Sequence, residues 1–188
     1  VRRGIPVVSR EAVSLFARAA EPMKKVETQK PGSKPAGGRS ARVASEIIVL
    51  HIDDDPNDTA LLQAAARSAK LGFRLHNVED GEQAIAFLSG VEPYSDRALY
   101  PLPSLILLDL KMPRATGFEV LKWVRTHPEL GGLPVVVLSG SELQDDVEKA
   151  YVDGANSYLV KPIGFEALVN LVSNISTIWL GTLGRPAV

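Results

Sequence analysis

Leu105-Ile106-Leu107-Leu108-Asp109-Leu110-Lys111-Met112-Pro113 is the stretch that decides the fold. Four aliphatic residues run straight into one carboxylate, and Pro113 and Gly117 mark a turn beyond it. An unbroken apolar run of this length reads as a strand buried on both faces, as in a parallel sheet covered by helices. Asp109 then stands at the carboxyl end of that strand, the edge where open α/β sheets bind ligands. An acid in that place can also simply cap the next helix or turn, so the flanking sequence has to decide.

Working outward, strand and helix signals alternate five times between residues 46 and 180. Residues 47–52 form a short β-rich run ending in Asp53-Asp54-Asp55-Pro56. Asn57 or Asp58 can cap a helix running to about Lys70, with Leu61, Leu62, Ala65 and Ala69 on one face, and Gly72 stops it. Residues 73–78 read as a second strand, and Glu79-Asp80-Gly81 turns into a helix with Ala84, Ile85, Phe87 and Leu88 inward, ending near Gly90. A longer loop over 91–103 precedes the central strand, residues 104–109. Phe118, Val120, Leu121 and Val124 give the following helix its apolar face, up to His127-Pro128. Residues 134–138 are a fourth strand, followed by Ser139-Gly140-Ser141; residues 145–152 are a helix closed by Gly154. Residues 157–160 are a fifth strand ending in Lys161-Pro162, and a last helix runs from Phe165 to about Leu180. This alternation specifies a doubly wound α/β domain with a parallel sheet and helices on both faces, without choosing a strand order.

Composition narrows the chemistry. The chain has 188 residues and 45% hydrophobic content, enough for one ordinary domain with a core. It has no cysteine, which excludes disulfides, thiolate metal sites and cysteine nucleophiles and fits a reducing, cytoplasmic compartment. No apolar run approaches the roughly 18–20 residues that span a bilayer. Residues 1–45 carry ten Lys/Arg and three Asp/Glu, a net +7, whereas residues 46–188 carry eleven and nineteen, a net −8. A basic arm with the Pro, Gly, Lys and Ser content of a disordered linker thus precedes an acidic domain that is a poor candidate for nucleic acid. Within the arm, Ser9 can cap a short, raggedly amphipathic helix over residues 10–20, and the sharper reading of the arm is a docking segment for an acidic partner. The chain begins with Val1, and Arg2-Arg3 is not followed by the apolar stretch an export signal needs.

Strand ends carry polar residues that a core would not choose: Asp53 and Asp54 after the first, Asp109 after the third, Ser139 after the fourth, Lys161 after the fifth. In a parallel sheet these ends share one edge. The clustered carboxylates suit a hard divalent cation such as Mg2+, which takes oxygen ligands and keeps several waters. A lysine and a hydroxyl beside it suit a transferring phosphoryl group, with Asp109 as the nucleophile that becomes an aspartyl phosphate. Taken singly, the aspartates read as a solvated turn (Asp55 above all), Ser139 as a helix cap and Lys161 as a snorkelling side chain. All of these plain readings holding together, at matching strand ends, is improbable.

Residues 46–180 resemble the receiver domain of two-component response regulators. The likeness is carried by Ile52-Asp53-Asp54-Asp55-Pro56, by Leu107 to Pro113 with Gly117, by Val137-Leu138-Ser139, and by Ser157 to Pro162. It implies a flavodoxin-like sheet of order 2-1-3-4-5. It implies Asp109 as the acceptor of a phosphoryl group from a histidine kinase. Mg2+ would be held by Asp54 and Asp109, with Asp53 acting mainly through water and the Lys111 backbone carbonyl as a further ligand. Ser139 would be the switch hydroxyl, Lys161 the phosphate contact and Tyr158 the aromatic switch residue. The switch position carries Ser139 where the family usually has threonine.

The loop over 91–103, His127-Pro128-Glu129-Leu130 before Leu133-Pro134, and the ending Ile178-Trp179-Leu180 are similar to small single-domain regulators associated with bacterial phytochromes. That narrower likeness implies a phytochrome-type sensor kinase and homodimerisation through the fourth and fifth units. The expected organisation is an arm over residues 1–45, a receiver over 46–180 and a tail over 181–188. No output domain follows Leu180, so signal is expected to leave through contacts with a downstream protein, unless the chain is a fragment. Two rivals stand beside this reading. A metal-dependent phosphohydrolase of small phosphate esters usually needs an acid two residues after its aspartyl nucleophile, where this chain has Lys111. A receiver-like module that binds partners constitutively would not need the complete acidic set. A Rossmann nucleotide site is excluded by the Asp-rich turn after the first strand, where a Gly-rich phosphate loop would stand.

Overall fold

The computed structural model describes residues 47–181. The arm over 1–45, with its proposed helix over 10–20, and the tail beyond Gly181 lie outside the described residues. The strands are β1 (Ile47–Ile52), β2 (Phe73–Val78), β3 (Leu105–Leu108), β4 (Val135–Ser139) and β5 (Ser157–Val160). The helices between and after them are α1 (Pro56–Ser68), α2 (Gly81–Ser89), α3 (Gly117–Thr126), α4 (Gln144–Val152) and α5 (Phe165–Ile175). All strand pairings are parallel, in the order β2-β1-β3-β4-β5. The flavodoxin-like doubly wound sheet expected from the sequence is therefore the fold.

The period-two alternation of strand side chains splits the core into two layers. Leu50, Ile52, Ile106, Leu108 and Val135 point to one face and pack with Phe87 and Leu88 of α2 and Val120, Leu121 and Val124 of α3. Val49, Leu105, Leu107, Val136 and Leu138 point to the other and pack with Leu62 and Ala65 of α1 and Val172 and Ile175 of α5. All four residues of β3 are essentially inaccessible. Burying each such aliphatic side chain contributes roughly 1.5–3 kcal/mol, which fixes the strand before the polar residue at its end is considered. A smaller cluster of Leu110, Val137 and Ala150, with Phe118 and Tyr158 against it, seats α4.

Helix ends follow sequence signals, with corrections. The N-cap of α1 is Asp55, whose carboxylate accepts from the Asn57 N–H at 2.8 Å, with Pro56 in the first turn; neither Asn57 nor Asp58 is the cap. Asp55 is exposed, as a solvated turn residue should be, yet it organises the helix. The helix stops at Ser68, two residues before Lys70, whose φ of 52° ends it in the left-handed region. Asp80 caps α2 by accepting from the Gln83 N–H at 2.8 Å, and Thr116 and Glu119 form a reciprocal capping box on α3.

The last helix departs most from expectation. It does not run unbroken to Leu180: α5 ends at Ile175 and the chain widens into a π-turn over Ser176–Leu180. Ser173 and Thr177 hydroxyls donate back to the carbonyls of Val169 and Ser173, at 2.8 and 2.9 Å, and compete with the backbone ladder there. The wider turn rotates Leu180 into the core and leaves Ile178 half exposed, against its expected place on the apolar face. The loop over 91–103 is also more ordered than its composition suggests. Tyr94 and Tyr100 pack edge-on, their ring centroids 5.1 Å apart, against Phe87. Arg97 donates to the carbonyls of Phe87 and Leu88 at the end of α2, both at 2.7 Å.

Gly117 couples this scaffold to the strand end at Asp109. A Cβ there would overlap the Asp109 carbonyl oxygen and come within 2.8 Å of the Leu110 Cα, both backbone atoms that cannot rotate away. Gly117→Ala should lower the unfolding free energy by about 2–3 kcal/mol, measured by urea denaturation with an unchanged slope.

Candidate functional site

Register brings the polar strand ends together. Ile52 is level with Val78 on one side and Leu108 on the other, and Leu108 is level with Val137. One residue on, the Asp53 N–H donates to Val78 O at 3.1 Å, the Asp109 N–H to Ile52 O at 2.9 Å and the Lys161 N–H to Ser139 O at 2.8 Å. These last backbone bonds of the sheet hold Asp53, Asp109, Ser139 and Lys161 along its carboxyl edge. Asp53 and Asp109 are buried, Ser139 is wholly inaccessible, and Asp54 is exposed at the rim. Carboxylate oxygens of Asp53, Asp54 and Asp109 lie within 4.8 Å of one another.

Lys161 reaches into this cluster from the end of β5. Its ammonium donates to Asp58 Oδ2 at 2.7 Å, Asp53 Oδ2 at 2.8 Å and Asp109 Oδ2 at 3.2 Å. Burial opposes the lysine's charge, but the hydrogen bonds to Asp53 and Asp58 and the charge of Asp109 prevail and raise its pKa above the ordinary amine value. Burial likewise opposes the charge on Asp53. Hydrogen bonds from His51, Lys161 and the Asp55 N–H outweigh it and bring the Asp53 carboxyl down from 3.8 to about 2.

Two groups near the cluster were not singled out from the sequence. Asp58 was read only as a helix cap, although it stands one helical turn beyond Asp54. His51, buried in β1, sets Nε2 3.3 Å from Asp53 Oδ2, and its Nδ1 lies 3.4 Å from the Thr59 hydroxyl, which donates to Asn77 Oδ1 at 3.0 Å. A histidine in the middle of an aliphatic strand was the available signal. Lys111 sits in the loop after Asp109; its N–H lies 3.4 Å from Asp109 Oδ1 and its exposed ammonium 4.0 Å from Asp146 Oδ2. The Leu110 N–H donates to the same Asp109 oxygen at 2.7 Å.

Ser139 Oγ is buried and has no hydrogen-bond partner among the described residues. It does not cap α4, whose N-cap is Leu143 with no side-chain bond. Tyr158 turns inward against Leu110, Val137 and Ala150, and its hydroxyl donates to Ser141 O at 2.9 Å. The Ser141 hydroxyl in turn donates to Asp146 of α4. The chain leaving Ser139 is thereby tied both to β5 and to α4.

The donor set fits a divalent cation: oxygen ligands only, clustered and partly buried, with a hydroxyl and an ammonium alongside. Lys161 bonds two of the same carboxylates, so the cation and the ammonium compete for them. Lys161→Met should tighten Mg2+ or Mn2+ binding by roughly tenfold, read by titration calorimetry. The Asp53 carboxyl is a stronger acid folded than unfolded. Its contribution to stability is therefore complete above pH 3.8 and is lost as pH falls through about 2. In chelator, unfolding free energy measured between pH 5 and 2 should fall less steeply in Asp53→Asn than in the parent.

The model of the response regulator receiver domain matches residues 49–173. Response regulator Rcp1 of Synechocystis is 36% identical over 140 residues, which cover 74% of this chain and 93% of Rcp1. Its Mn2+-bound crystal structure superposes with a TM-score of 0.66 at 35% identity over 75% of this chain and 99% of that one. The phosphorylated cyanobacterial phytochrome response regulator RcpA gives a TM-score of 0.68 at 32% identity, covering 76% of this chain and all, 100%, of RcpA. Response regulator RPA3017, from red light signaling of R. palustris, gives 0.70 at 32% identity, covering 76% and 99%. Asp53, Asp54 and Asp109 form an acidic cluster that could hold a metal ion, and the similar Rcp1 structure is a Mn2+-bound form. The chain belongs to the response regulator receiver family and is a response regulator of two-component phosphorylation signalling.

Proposed function

We propose that Asp109 accepts a phosphoryl group from a phosphohistidine of a histidine kinase, and that the resulting aspartyl phosphate switches which proteins this chain binds. The observation that carries this reading is the buried Ser139 hydroxyl, on the strand beside Asp109, for which the geometry gives no hydrogen bond among the described residues. A buried hydroxyl without a hydrogen bond costs about 1–3 kcal/mol, and a phosphoryl oxygen on Asp109 gives it an acceptor.

In the transfer, an Asp109 carboxylate oxygen attacks phosphorus, the new O–P bond forms, and the N–P bond breaks with its electron pair returning to the imidazole. With Asp53 acting through water, Asp54, Asp109 and the Lys111 carbonyl would hold a Mg2+ ion. When bound, it neutralises charge on the phosphoryl oxygens. Lys161 supplies positive charge to another oxygen, and Ser139 donates to a third. The same pocket lets the chain phosphorylate itself from a small acyl phosphate and lets water remove the group. Movement of Ser139 toward the phosphoryl group draws the loop to which Tyr158 is bonded, and so alters the α4–β5 face.

Two likenesses support a phytochrome-type sensor as the kinase partner, since the similar structures include a phytochrome response regulator and a regulator of red light signalling. The functional domain spans residues 46–180. The face built by the fourth and fifth units is our proposed surface for a downstream protein and for a second copy of the chain. The absence of cysteine, and of any described helix long and apolar enough to cross a membrane, supports a cytoplasmic place for it. Nothing favours a phosphohydrolase: the residue two beyond Asp109 is Lys111, facing Asp146.

Intact mass after incubation with acetyl phosphate and Mg2+ should show one phosphoryl adduct that needs the metal, is labile to hydroxylamine and is missing in Asp109→Asn. Ser139→Ala should form the same adduct roughly a hundredfold more slowly. No adduct on the folded, metal-bound parent would overturn the reading in favour of a constitutive binding module.

A further inference from the structure

We infer that Asp58 is a positioning residue that keeps the Lys161 ammonium over the phosphoryl site once a divalent cation has taken the lysine's other carboxylates. As a role in phosphoryl transfer, this rests on the reading of Asp109 as phosphoacceptor.

An ammonium has three donors, and here they go to Asp53, Asp58 and Asp109. Two of these acceptors belong to the carboxylate cluster that fits a cation, and Asp58 does not. A dication among Asp53, Asp54 and Asp109 competes for the oxygens Lys161 uses there and repels its charge. Asp58 then remains as the lysine's anion, and its bond is already the shortest of the set at 2.7 Å. The surroundings offer little else. Lys161 and Asp58 share a small cavity of about 60 Å3 whose other walls include Leu61, Leu62, Leu138 and Leu168. Without Asp58 the metal-loaded lysine would exchange its place for solvent, since its side chain is already one-fifth exposed.

The helix start sets this position. Asp55 caps α1 and Pro56 occupies its first turn, so Asp58 follows in that turn, beside the carboxyl edge of the sheet. An acid in the first turn also complements the helix dipole whatever stands opposite it. That plainer role makes Asp58 indifferent to Lys161, which separates the two accounts experimentally.

The test uses the full chain and the variants Asp58→Ala, Asp58→Asn, Lys161→Ala and the Asp58→Ala/Lys161→Ala double. In saturating Mg2+, acetylation of Lys161 by a succinimidyl ester is followed by peptide mass, with exposed Lys111 and Lys122 as internal references. Asp58→Ala should raise Lys161 labelling several-fold, while Asp58→Asn, which keeps an oxygen acceptor but loses the charge, falls between it and the parent. Parental labelling of Lys161 in Asp58→Ala overturns the inference. With acetyl phosphate, Asp58→Ala should slow adduct formation at saturating donor by roughly tenfold and should slow Lys161→Ala no further. An equal slowing in both backgrounds assigns Asp58 to the helix dipole and overturns the inference. If the parent takes no phosphoryl group, the phosphoacceptor reading fails, and the labelling still decides whether Asp58 tethers Lys161.

Discussion

One ammonium shared among carboxylates from different elements is the interaction on which the site depends. Asp53 follows β1, Asp58 belongs to α1, Asp109 follows β3, and Lys161 follows β5 and bonds all of them. Burying carboxylates side by side is unfavourable because each loses water and repels its neighbours. Lys161 relieves both costs at once. The same contacts limit it, since any cation entering the cluster must displace part of this lysine's coordination. The pocket is thus built to hold positive charge in exchangeable form rather than to hold one ion permanently.

That arrangement requires the sheet's register. β3 is so thoroughly buried that its placement is set by apolar packing alone, with Leu105 and Leu107 on one face and Ile106 and Leu108 on the other. A slip of one residue would exchange the faces of every side chain and carry Asp109 away from Asp53. The acids contribute nothing to choosing that register and depend on it entirely. At Gly117 the dependence is closest, because the start of α3 packs on the Asp109 backbone itself. Arg114 closes the same loop in a left-handed conformation, φ 64°, with its guanidinium on the buried carboxylate of Asp80. A non-glycine residue in that region is strained, and the ion pair to Asp80 offsets the strain.

How much of this was legible follows from the range of each interaction. The strands and helices were readable because apolar periodicity is local, and the order 2-1-3-4-5 came from the resemblance rather than from pattern. Asp53, Asp54, Asp109, Ser139 and Lys161 were readable because a polar residue directly after a buried strand is anomalous within a few positions of sequence. Asp58 was not, since an acid in a helix's first turn is ordinary and only the tertiary approach of Lys161, 103 positions away, gives it another partner. His51 needed the packing of α1 and β2 around it before its ring nitrogens meant anything. The π-turn after Ile175 was hidden for a related reason: apolar spacing continued, while the hydroxyls of Ser173 and Thr177 redirected the backbone bonds.

Ser139 shows why an incompletely satisfied site is useful to a switch. A group that gains nothing between two states cannot shift their balance, and a ligand moves an equilibrium only by its differential affinity. The Ser139 hydroxyl is buried and makes no hydrogen bond among the described residues, so its free energy depends on whether an acceptor arrives. Tyr158 and Asp146 already bind Ser141, two residues along. On the proposed mechanism, satisfying Ser139 therefore acts on a loop tied to β5 and α4 together. Lys161 presents the opposite case, with each of its donors engaged before any phosphoryl group is present. On the proposed mechanism, one side chain gains a bond on phosphorylation and the other must exchange one. On that mechanism, the net bias on the α4–β5 face is set by the difference between these two terms.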